Sequence, residues 1–170
     1  MPANMTFIKA LPSPFELQEM FPLSSDLRRI KADRDKEIQN ILSGKDSRML
    51  LIIGPCSADN EDSVLDYMHR LAGCVMKYPT NCSLFPVSTP IARTIGIGYK
   101  GMLHQPNPSK KENLIAGIIA VREMNTRIIK ETGFTCADEI LYPETYLYLA
   151  DIFILCRYRT PGLWKTSCTA

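Results

Sequence analysis

The sequence predicts an α/β protein built on a parallel sheet or barrel, and two observations support this fold class. Segments with the apolar content of strands alternate with segments of helical periodicity, in the order strand, helix, strand, helix. The first strand, residues 49–55, is almost entirely apolar, which is typical of a strand buried on both faces of a parallel sheet. Folds of this type place their functional residues just after the carboxyl ends of the strands.

An arm and a helix are expected before the first strand. Residues 1–23 contain four prolines and predict an arm that packs on the rest of the protein or on a partner subunit. Residues 24–43 predict a helix, because Ser24 or Ser25 can cap its amino end, an apolar stripe follows, and Gly44 can end it.

Two longer helices follow the first strand. Residues 60–76 predict a helix with acids in its first turn, where the helix dipole favours negative charge. A loop rich in Gly, Pro and Lys, residues 96–111, leads to a long helix at residues 112–131 that Gly133 stops.

The last part of the chain predicts a second strand–helix–strand unit. The stretch FTCADEILYP predicts a strand that ends at Glu139 or just beyond it. The stretch PETYLYLADIF then predicts a short helix that leads into another strand.

Composition limits the partners that this protein can have. The 170 residues carry 20 basic and 18 acidic side chains, a net charge of +2, which argues against nucleic acid or an anionic membrane as a partner. No apolar run approaches the length of a membrane span, and the amino-terminal residues lack the long apolar stretch of a secretion signal. The cytoplasm is therefore the expected location, and the six cysteines are expected to be free thiols.

Chemically versatile side chains stand at the predicted strand ends. Cys56 follows the first strand on a Gly-Pro turn, and as a lone cysteine it could be a nucleophile, a metal ligand or simple filler. Arg93, Thr94 and Lys100 lie in a loop that would suit a phosphate group, although basic surface loops are common. Glu139 alone would be read as a solvated carboxylate. The string GIGYKG matches a dinucleotide-binding pattern only formally, because it does not open a helix after a first strand.

Several long strings resemble the class I 3-deoxy-D-arabino-heptulosonate 7-phosphate (DAHP) synthases. They are LLIIGPCSADNED, GYKGMLHQPNPSKKENLIAGIIAVREM and ETGFTCADEILYPETYLYLADI, and FIKALPSPFELQEMFPLS is similar to the family's amino-terminal extension. The resemblance covers about residues 5–80 and 93–153. It implies a (β/α)8 TIM barrel with an amino-terminal extension, of which this chain carries the first part. It also implies a homo-oligomer that condenses phosphoenolpyruvate with erythrose 4-phosphate at the entry to the shikimate pathway.

The resemblance also assigns roles to four residues. Cys56 would be one ligand of a divalent metal ion (Mn, Fe, Co or Zn) that polarises the sugar-phosphate aldehyde, and the other ligands would lie beyond residue 170. Arg93 and Thr94 match positions that hold the phosphate of erythrose 4-phosphate. Glu139 matches a glutamate at a strand end beside phosphoenolpyruvate.

Two segments depart from the family pattern. Between Tyr78 and Arg93 the family has an apolar strand followed by a basic motif, whereas this chain has prolines at 86 and 90 that are expected to break strand 2. The expected phosphoenolpyruvate-binding Arg and Lys are absent there. Codons that can encode residues 81–92, read two bases on, give the family-like string LFIIPRIYTNS. We hypothesise that this segment is translated out of frame.

The carboxyl-terminal segment departs in the same way. Codons that can encode residues 154–159 and 162–170, read in shifted frames, give SYVAIG and SVENQLYR, which are similar to family strings. The predicted organisation is therefore an extension and helix at 1–45, the first βα units of the barrel at 46–153, and an out-of-frame tail at 154–170.

Three functional hypotheses follow. The chain is a transferase of the DAHP synthase type whose gene is intact, an inactive truncated fragment of that enzyme, or a half-barrel that pairs with another chain as an interaction or regulatory module. A full barrel needs about 250 residues, so a polypeptide of these residues alone is expected to be inactive. The regulating amino acid and the metal are not determined by these residues.

Overall fold

A computed structural model of the chain describes residues 10–55, 58–77, 81–88, 99–140, 143–158 and 164–166; at 139, 140, 143, 144, 155–158 and 164–166 it describes the backbone. Helices and strands alternate along these residues as the sequence predicts. In chain order the elements are α1 (Pro14–Met20), α2 (Ser25–Leu42), β1 (Met49–Ile53), α3 (Glu61–Lys77), β2 (Cys82–Pro86), α4 (Leu114–Thr132), β3 (Ala137–Ile140), α5 (Pro143–Leu149), β4 (Leu155–Tyr158) and β5 (Trp164–Thr166).

The ends of the long helices follow from side chains that the sequence places there. The Ser24 hydroxyl accepts a hydrogen bond from the Leu27 backbone N–H, so Ser24 rather than Ser25 caps α2. Asn113 caps α4 in the same manner. Gly44 and Gly133 follow the two helices with positive φ angles of 74° and 71°, a conformation that glycine adopts without strain.

Four strands run parallel in the order of the sequence. β1 pairs with β2 in the register Met49↔Cys82, and β3 pairs with β4 in the register Ala137↔Leu155. A single bridge between Val87 and Ala137 joins the two pairs. This succession of parallel neighbours confirms the predicted fold class, the first part of a parallel α/β barrel. β5 differs from it because it turns back and pairs antiparallel with β4.

The prediction that prolines break strand 2 is wrong at Pro86. β2 extends through Pro86, which stands opposite Ile53 in the register. The Val87 N–H donates to the Ile53 carbonyl and the Ser88 N–H donates to the Ala137 carbonyl, at 3.1 Å each. The N–H groups of successive residues point alternately to the two neighbouring strands, so an N–H at position 86 would point away from β1, as the Ser88 N–H does. The hydrogen bonds between β1 and β2 therefore do not need the N–H that Pro86 lacks. Pro90 lies outside the described residues.

Buried apolar side chains form two groups on opposite faces of the sheet. Neighbouring residues of β2 divide between them, since Leu84 packs against the larger group and Phe85 belongs to the smaller one. The larger group is formed mainly by α1, α3, α4 and α5. In the smaller group Ile38 of α2 packs with Phe85, Ala137 and Ile154. The later part of helix α2 therefore covers one face of the sheet, whereas its first turns, with Leu27, join α1 and the later helices in the larger group.

The prediction that the first strand is buried on both faces is also wrong for β1, whose residues the structure describes. Met49, Leu51 and Ile53 are 65%, 37% and 41% exposed, whereas Leu50 and Ile52 pack against the smaller apolar group. The reason is that β1 stands at the end of the strand order, where it pairs with β2 alone among the strands that the structure describes. None of the helices in the described ranges is long and apolar enough to cross a membrane.

Candidate functional site

The carboxyl ends of β1 and β2 meet closely at one edge of the sheet. Gly54 follows β1, and a Cβ atom built on it would lie 2.1 Å from the Val87 carbonyl oxygen. Only glycine fits at this position, so the two strand ends approach each other without a side chain between them. The glycine of the Gly-Pro turn is therefore required for steric reasons, independently of any ligand. Cys56, the predicted metal ligand, follows two residues later and lies outside the described residues.

The structure places Glu139 where the sequence predicts it along the chain. Its backbone belongs to β3 and stands opposite Arg157 of β4 in the register. β3 begins at the bridge to Val87, so its first residue lies beside the carboxyl end of β2, and Glu139 lies two residues further along β3. Arg93 and Thr94, the predicted phosphate-binding pair, lie outside the described residues. The structure thus brings the carboxyl ends of β1 and β2 to the start of β3, and the roles of the four predicted side chains stay predictions.

The metal prediction can be tested against the side chains that are described. Among those residues, no group of three or more His, Cys, Asp or Glu side chains could hold a metal ion. Cys74 is exposed on α3, Cys82 is half-buried, and Cys136 is buried in the larger apolar group, where its thiol interacts with Ser88. Burial raises the pKa of the Cys136 thiol to about 12, so this cysteine stays protonated at neutral pH and is unsuited to metal binding. Cys56 remains the predicted thiolate ligand.

In the described part of the loop before α4, residues 99–111, a basic side chain is paired with an acid. The Lys100 ammonium lies 2.8 Å from the Glu112 carboxylate, and this hydrogen bond lowers the pKa of Glu112. Tyr99 donates a hydrogen bond to the Asp59 carbonyl, and the two residues line a cavity of about 510 Å³ with Glu61. The cavity has acidic residues in its lining, and the phosphate role of this loop stays a prediction. The part of the loop that includes residues 89–98 lies outside the described residues.

A buried polar cluster behind the strand ends was missed by sequence reasoning. The Ser88 hydroxyl donates to the Asn125 side-chain oxygen at 3.2 Å, and the Asn125 amide donates to the Val121 carbonyl at 2.9 Å. Asn125 lies on α4 and is fully buried, so this bond ties the helix to the end of β2. An asparagine within an apolar helical stripe is the signal that could have revealed it.

The fold and its strand ends can now be compared with known proteins. The sequence matches the DAHP synthetase I family over residues 26–157. The Tyr-sensitive phospho-2-dehydro-3-deoxyheptonate aldolase of Escherichia coli K12 is 29% identical over 151 residues, which cover 88% of this chain and 42% of that protein. The phospho-2-dehydro-3-deoxyheptonate aldolase of Haemophilus influenzae is 31% identical over 139 residues, which cover 81% of this chain and 38% of that protein.

A solved structure gives the same result at the level of the fold. The phospho-2-dehydro-3-deoxyheptonate aldolase from Francisella tularensis SCHU S4 superposes with a TM-score of 0.80 at 25% sequence identity. The superposition covers 90% of this chain and 45% of that one. The chain therefore spans about two fifths of the length of the curated relatives that it matches.

Proposed function

Because the chain belongs to the DAHP synthetase I family, we propose that it contributes to the condensation of phosphoenolpyruvate with erythrose 4-phosphate, which yields DAHP and phosphate. The observation that carries this proposal is the family match over residues 26–157, since that range includes the ends of β1, β2 and β3. These strand ends are where a parallel α/β fold collects its functional residues. The reaction would make the protein a transferase of aromatic amino acid biosynthesis.

We assign the four predicted side chains to complementary roles in this reaction. Arg93 and Thr94 hold the phosphate of erythrose 4-phosphate, where a guanidinium group can form two parallel hydrogen bonds. Glu139 lies beside phosphoenolpyruvate and orients it. Cys56 supplies one thiolate ligand to a divalent metal ion, and that ion supplies Lewis-acid polarisation of the aldehyde.

One thiolate does not complete a metal site, and the described residues add no cluster of ligands to it. The remaining ligands would come from parts of the family fold that residues 1–170 do not include. A polypeptide that consists of these residues alone is therefore expected to lack condensation activity. The homo-oligomer and the cytoplasmic location expected from the sequence stay predictions.

An enzymatic assay of the complete reading frame tests this proposal. The purified protein, supplied with Mn²⁺, is expected to consume phosphoenolpyruvate and release phosphate only when erythrose 4-phosphate is present. The loss of phosphoenolpyruvate absorbance and the release of phosphate are measured in parallel, with each substrate omitted in turn. Phosphoenolpyruvate that is stable in the presence of erythrose 4-phosphate and Mn²⁺ would contradict the proposal.

The metal role of Cys56 is tested in the same protein by Cys56→Ser. The substitution replaces a soft thiolate by a neutral hydroxyl, so we expect metal affinity to fall by at least tenfold, about the minimum effect of losing a group that supports a metal ligand. Bound metal is measured by elemental analysis after dialysis against a series of free Mn²⁺ concentrations. Cys74→Ser, at an exposed position on α3, is the matched control and should bind metal normally. Equal metal affinity in the two variants would remove Cys56 from the site.

One observation favours a second candidate function, a half-barrel that pairs with another chain. Met49, Leu51 and Ile53 present exposed apolar side chains on β1, and an uncovered strand of this kind promotes association.

Sequencing the gene across codons 78–93 and 150–170 separates an intact synthase from a fragment. Light scattering on the 170-residue polypeptide tests the pairing: a stable oligomer of defined size supports it, and heterogeneous aggregates contradict it.

A further inference from the structure

Arg122 is a buried arginine near the middle of α4, and its side chain is 1% exposed. Its Nε atom donates to the Phe21 carbonyl at 2.7 Å, and its Nη1 atom donates to the Tyr148 carbonyl at 3.2 Å. Both Nη atoms also donate to the Asp151 carboxylate, at 2.8 and 2.7 Å. One guanidinium group therefore joins the end of the amino-terminal arm, the last turn of α5 and the turn that precedes β4.

Arg122 binds α5 and the turn after it, and α5 is the next element in the chain after β3, which carries Glu139. α5 begins at Pro143, three residues after β3 ends at Ile140, and Glu139 is the penultimate residue of β3. The turn after α5 is closed by hydrogen bonds from the Ile152 and Phe153 N–H groups to the Leu149 carbonyl. Because α5 is short and its carboxyl end is fixed, its amino end has little freedom to move relative to β3.

The arm also bonds directly to α5. The Gln18 side chain donates to the Leu147 carbonyl at 2.9 Å, and the Tyr148 hydroxyl donates to the Pro12 carbonyl at 2.8 Å. Arg122 is the group that binds both the arm and α5, through Phe21 and Tyr148 respectively. Loss of its guanidinium would leave the buried Tyr148 carbonyl, the half-buried Phe21 carbonyl and the Asp151 carboxylate without this donor, a costly arrangement.

We propose that Arg122 is a positioning residue that acts through α5 to fix the strand end carrying Glu139. The proposal rests on the function proposed above, because it gives Glu139 a place beside the substrate. Arg122 does not touch the reacting atoms. Its guanidinium supplies a planar set of donors to three segments at once, which no other side chain can reproduce. Lysine keeps the charge but can satisfy only part of this set.

The experiment compares Arg122→Lys and Arg122→Met in the complete protein with Arg127→Met. Arg127 is a suitable control because it lies on the same helix, is 45% exposed and makes ion pairs at the surface. A misplacement of about 1 Å can reduce a rate about a hundredfold. We therefore expect kcat/KM for phosphoenolpyruvate to fall about tenfold in Arg122→Lys and about a hundredfold in Arg122→Met. Arg127→Met should stay within about twofold of the wild type.

Two further readouts separate positioning from a merely structural role. Hydrogen exchange of residues 139–149 should accelerate in Arg122→Lys while α3 keeps its wild-type rate. In a double-mutant cycle with Glu139→Gln, the effect of Arg122→Lys on kcat/KM should largely disappear, because the residue it acts through has been changed. Wild-type exchange at 139–149, or additive effects in the cycle, would overturn the proposal.

The outcomes also separate this proposal from the proposed function. A wild-type protein without condensation activity would overturn the function and the role of Glu139, while the exchange rates would still decide whether Arg122 fixes residues 139–149. If Arg122→Met does not fold, Arg122→Lys and Asp151→Asn carry the same test, since each weakens the bidentate contact without removing the volume of the side chain.

Discussion

At the scale of single residues, Cys136 shows how burial decides the chemistry of a side chain. It directly precedes β3 and lies within the larger apolar group, and its side chain interacts with Ser88. Desolvation is the main cause of its raised pKa, because the thiolate would lose its hydration without gaining a positive partner. Of the three cysteines whose side chains the structure describes, Cys136 is therefore a buried structural thiol, Cys82 is half-buried and Cys74 is exposed on the surface of α3.

The pKa of Cys136 predicts how stability depends on pH. In the unfolded chain the thiol ionises near its ordinary pKa of 9, whereas in the folded chain it ionises near 12. The unfolded state therefore binds fewer protons between these values, and Cys136 contributes a progressive loss of stability as pH rises from 9 towards 12. Urea denaturation at several pH values should show a shallower loss in Cys136→Ala than in the wild type.

Cys74→Ala is the control for this measurement, because the side chain is exposed and its removal should leave the pH dependence unchanged. Identical slopes for the wild type and Cys136→Ala would show that Cys136 does not ionise differently in the folded and unfolded states.

At the scale of secondary structure, the Arg34 side chain donates a hydrogen bond to β2 at a position where β3 does not extend far enough to pair with it. The Leu84 carbonyl points away from β1, towards the side on which β3 has not yet begun. Arg34 of α2 donates a hydrogen bond to it, pairs with Glu37 and lies over the Phe85 ring, 4.1 Å from the ring centre. Burial lowers the pKa of Arg34. The contact fixes α2 against the gap between the two strand pairs.

Two helical glycines predict opposite effects of the same substitution. A Cβ atom at Gly117 in α4 would lie 1.7 Å from the Leu103 carbonyl oxygen, whereas a Cβ atom at Gly73 in α3 would have no neighbour within 4 Å. Gly117→Ala should reduce the free energy of unfolding by about 1–3 kcal/mol or more, because the loop must move away. Gly73→Ala should raise it by about 0.5–1 kcal/mol, because alanine is the better helix former.

Urea denaturation followed by circular dichroism measures both changes, and each variant serves as the control for the other. A Gly117→Ala protein as stable as the wild type would mean that the loop containing Leu103 does not pack against α4 as described.

At the scale of the whole molecule, burial is unequal across the sheet. α2 covers one face, and α3, α4 and α5 cover the other, so β2 and β3 lie between layers. β1 stands at one end of the strand order, and its outward residues Met49, Leu51 and Ile53 remain exposed. An exposed apolar strand at a sheet edge is the feature most prone to association in a fold of this type.

This asymmetry predicts that a charge on β1 reduces self-association of the 170-residue polypeptide. A lysine ammonium buried in an apolar interface loses its hydration without gaining a partner, so Leu51→Lys should weaken association by about tenfold or more. Analytical ultracentrifugation over a concentration series measures the change. Met76→Lys, at a methionine that is 86% exposed on α3, is the matched control. Equal association of Leu51→Lys and the wild type would show that β1 is not the associating surface.

The sequence by itself determined the long helices, the first strand and the later strand–helix–strand unit in their order, whereas α1 in the predicted arm and β5 in the predicted tail were not predicted. Local signals were sufficient for this: Ser24 and Asn113 as caps, Gly44 and Gly133 as stops, and apolar runs as strands. Such signals act within a few residues, and α2, α3 and α4 accordingly begin and end within two residues of their predicted bounds. The strings around residues 50–62 and 131–152 likewise carried the family resemblance, because each is continuous in the chain.

Only the tertiary structure decided what depends on residues far apart in sequence. β1 is partly exposed because it lies at the edge of the sheet, although its apolar composition predicts burial. Pro86 is compatible with β2 because its missing N–H would point away from β1. The convergence of Phe21, Tyr148 and Asp151 on Arg122 joins segments more than a hundred residues apart. Packing and hydrogen bonding between distant segments leave no local pattern, because each partner alone is an ordinary residue of its own element.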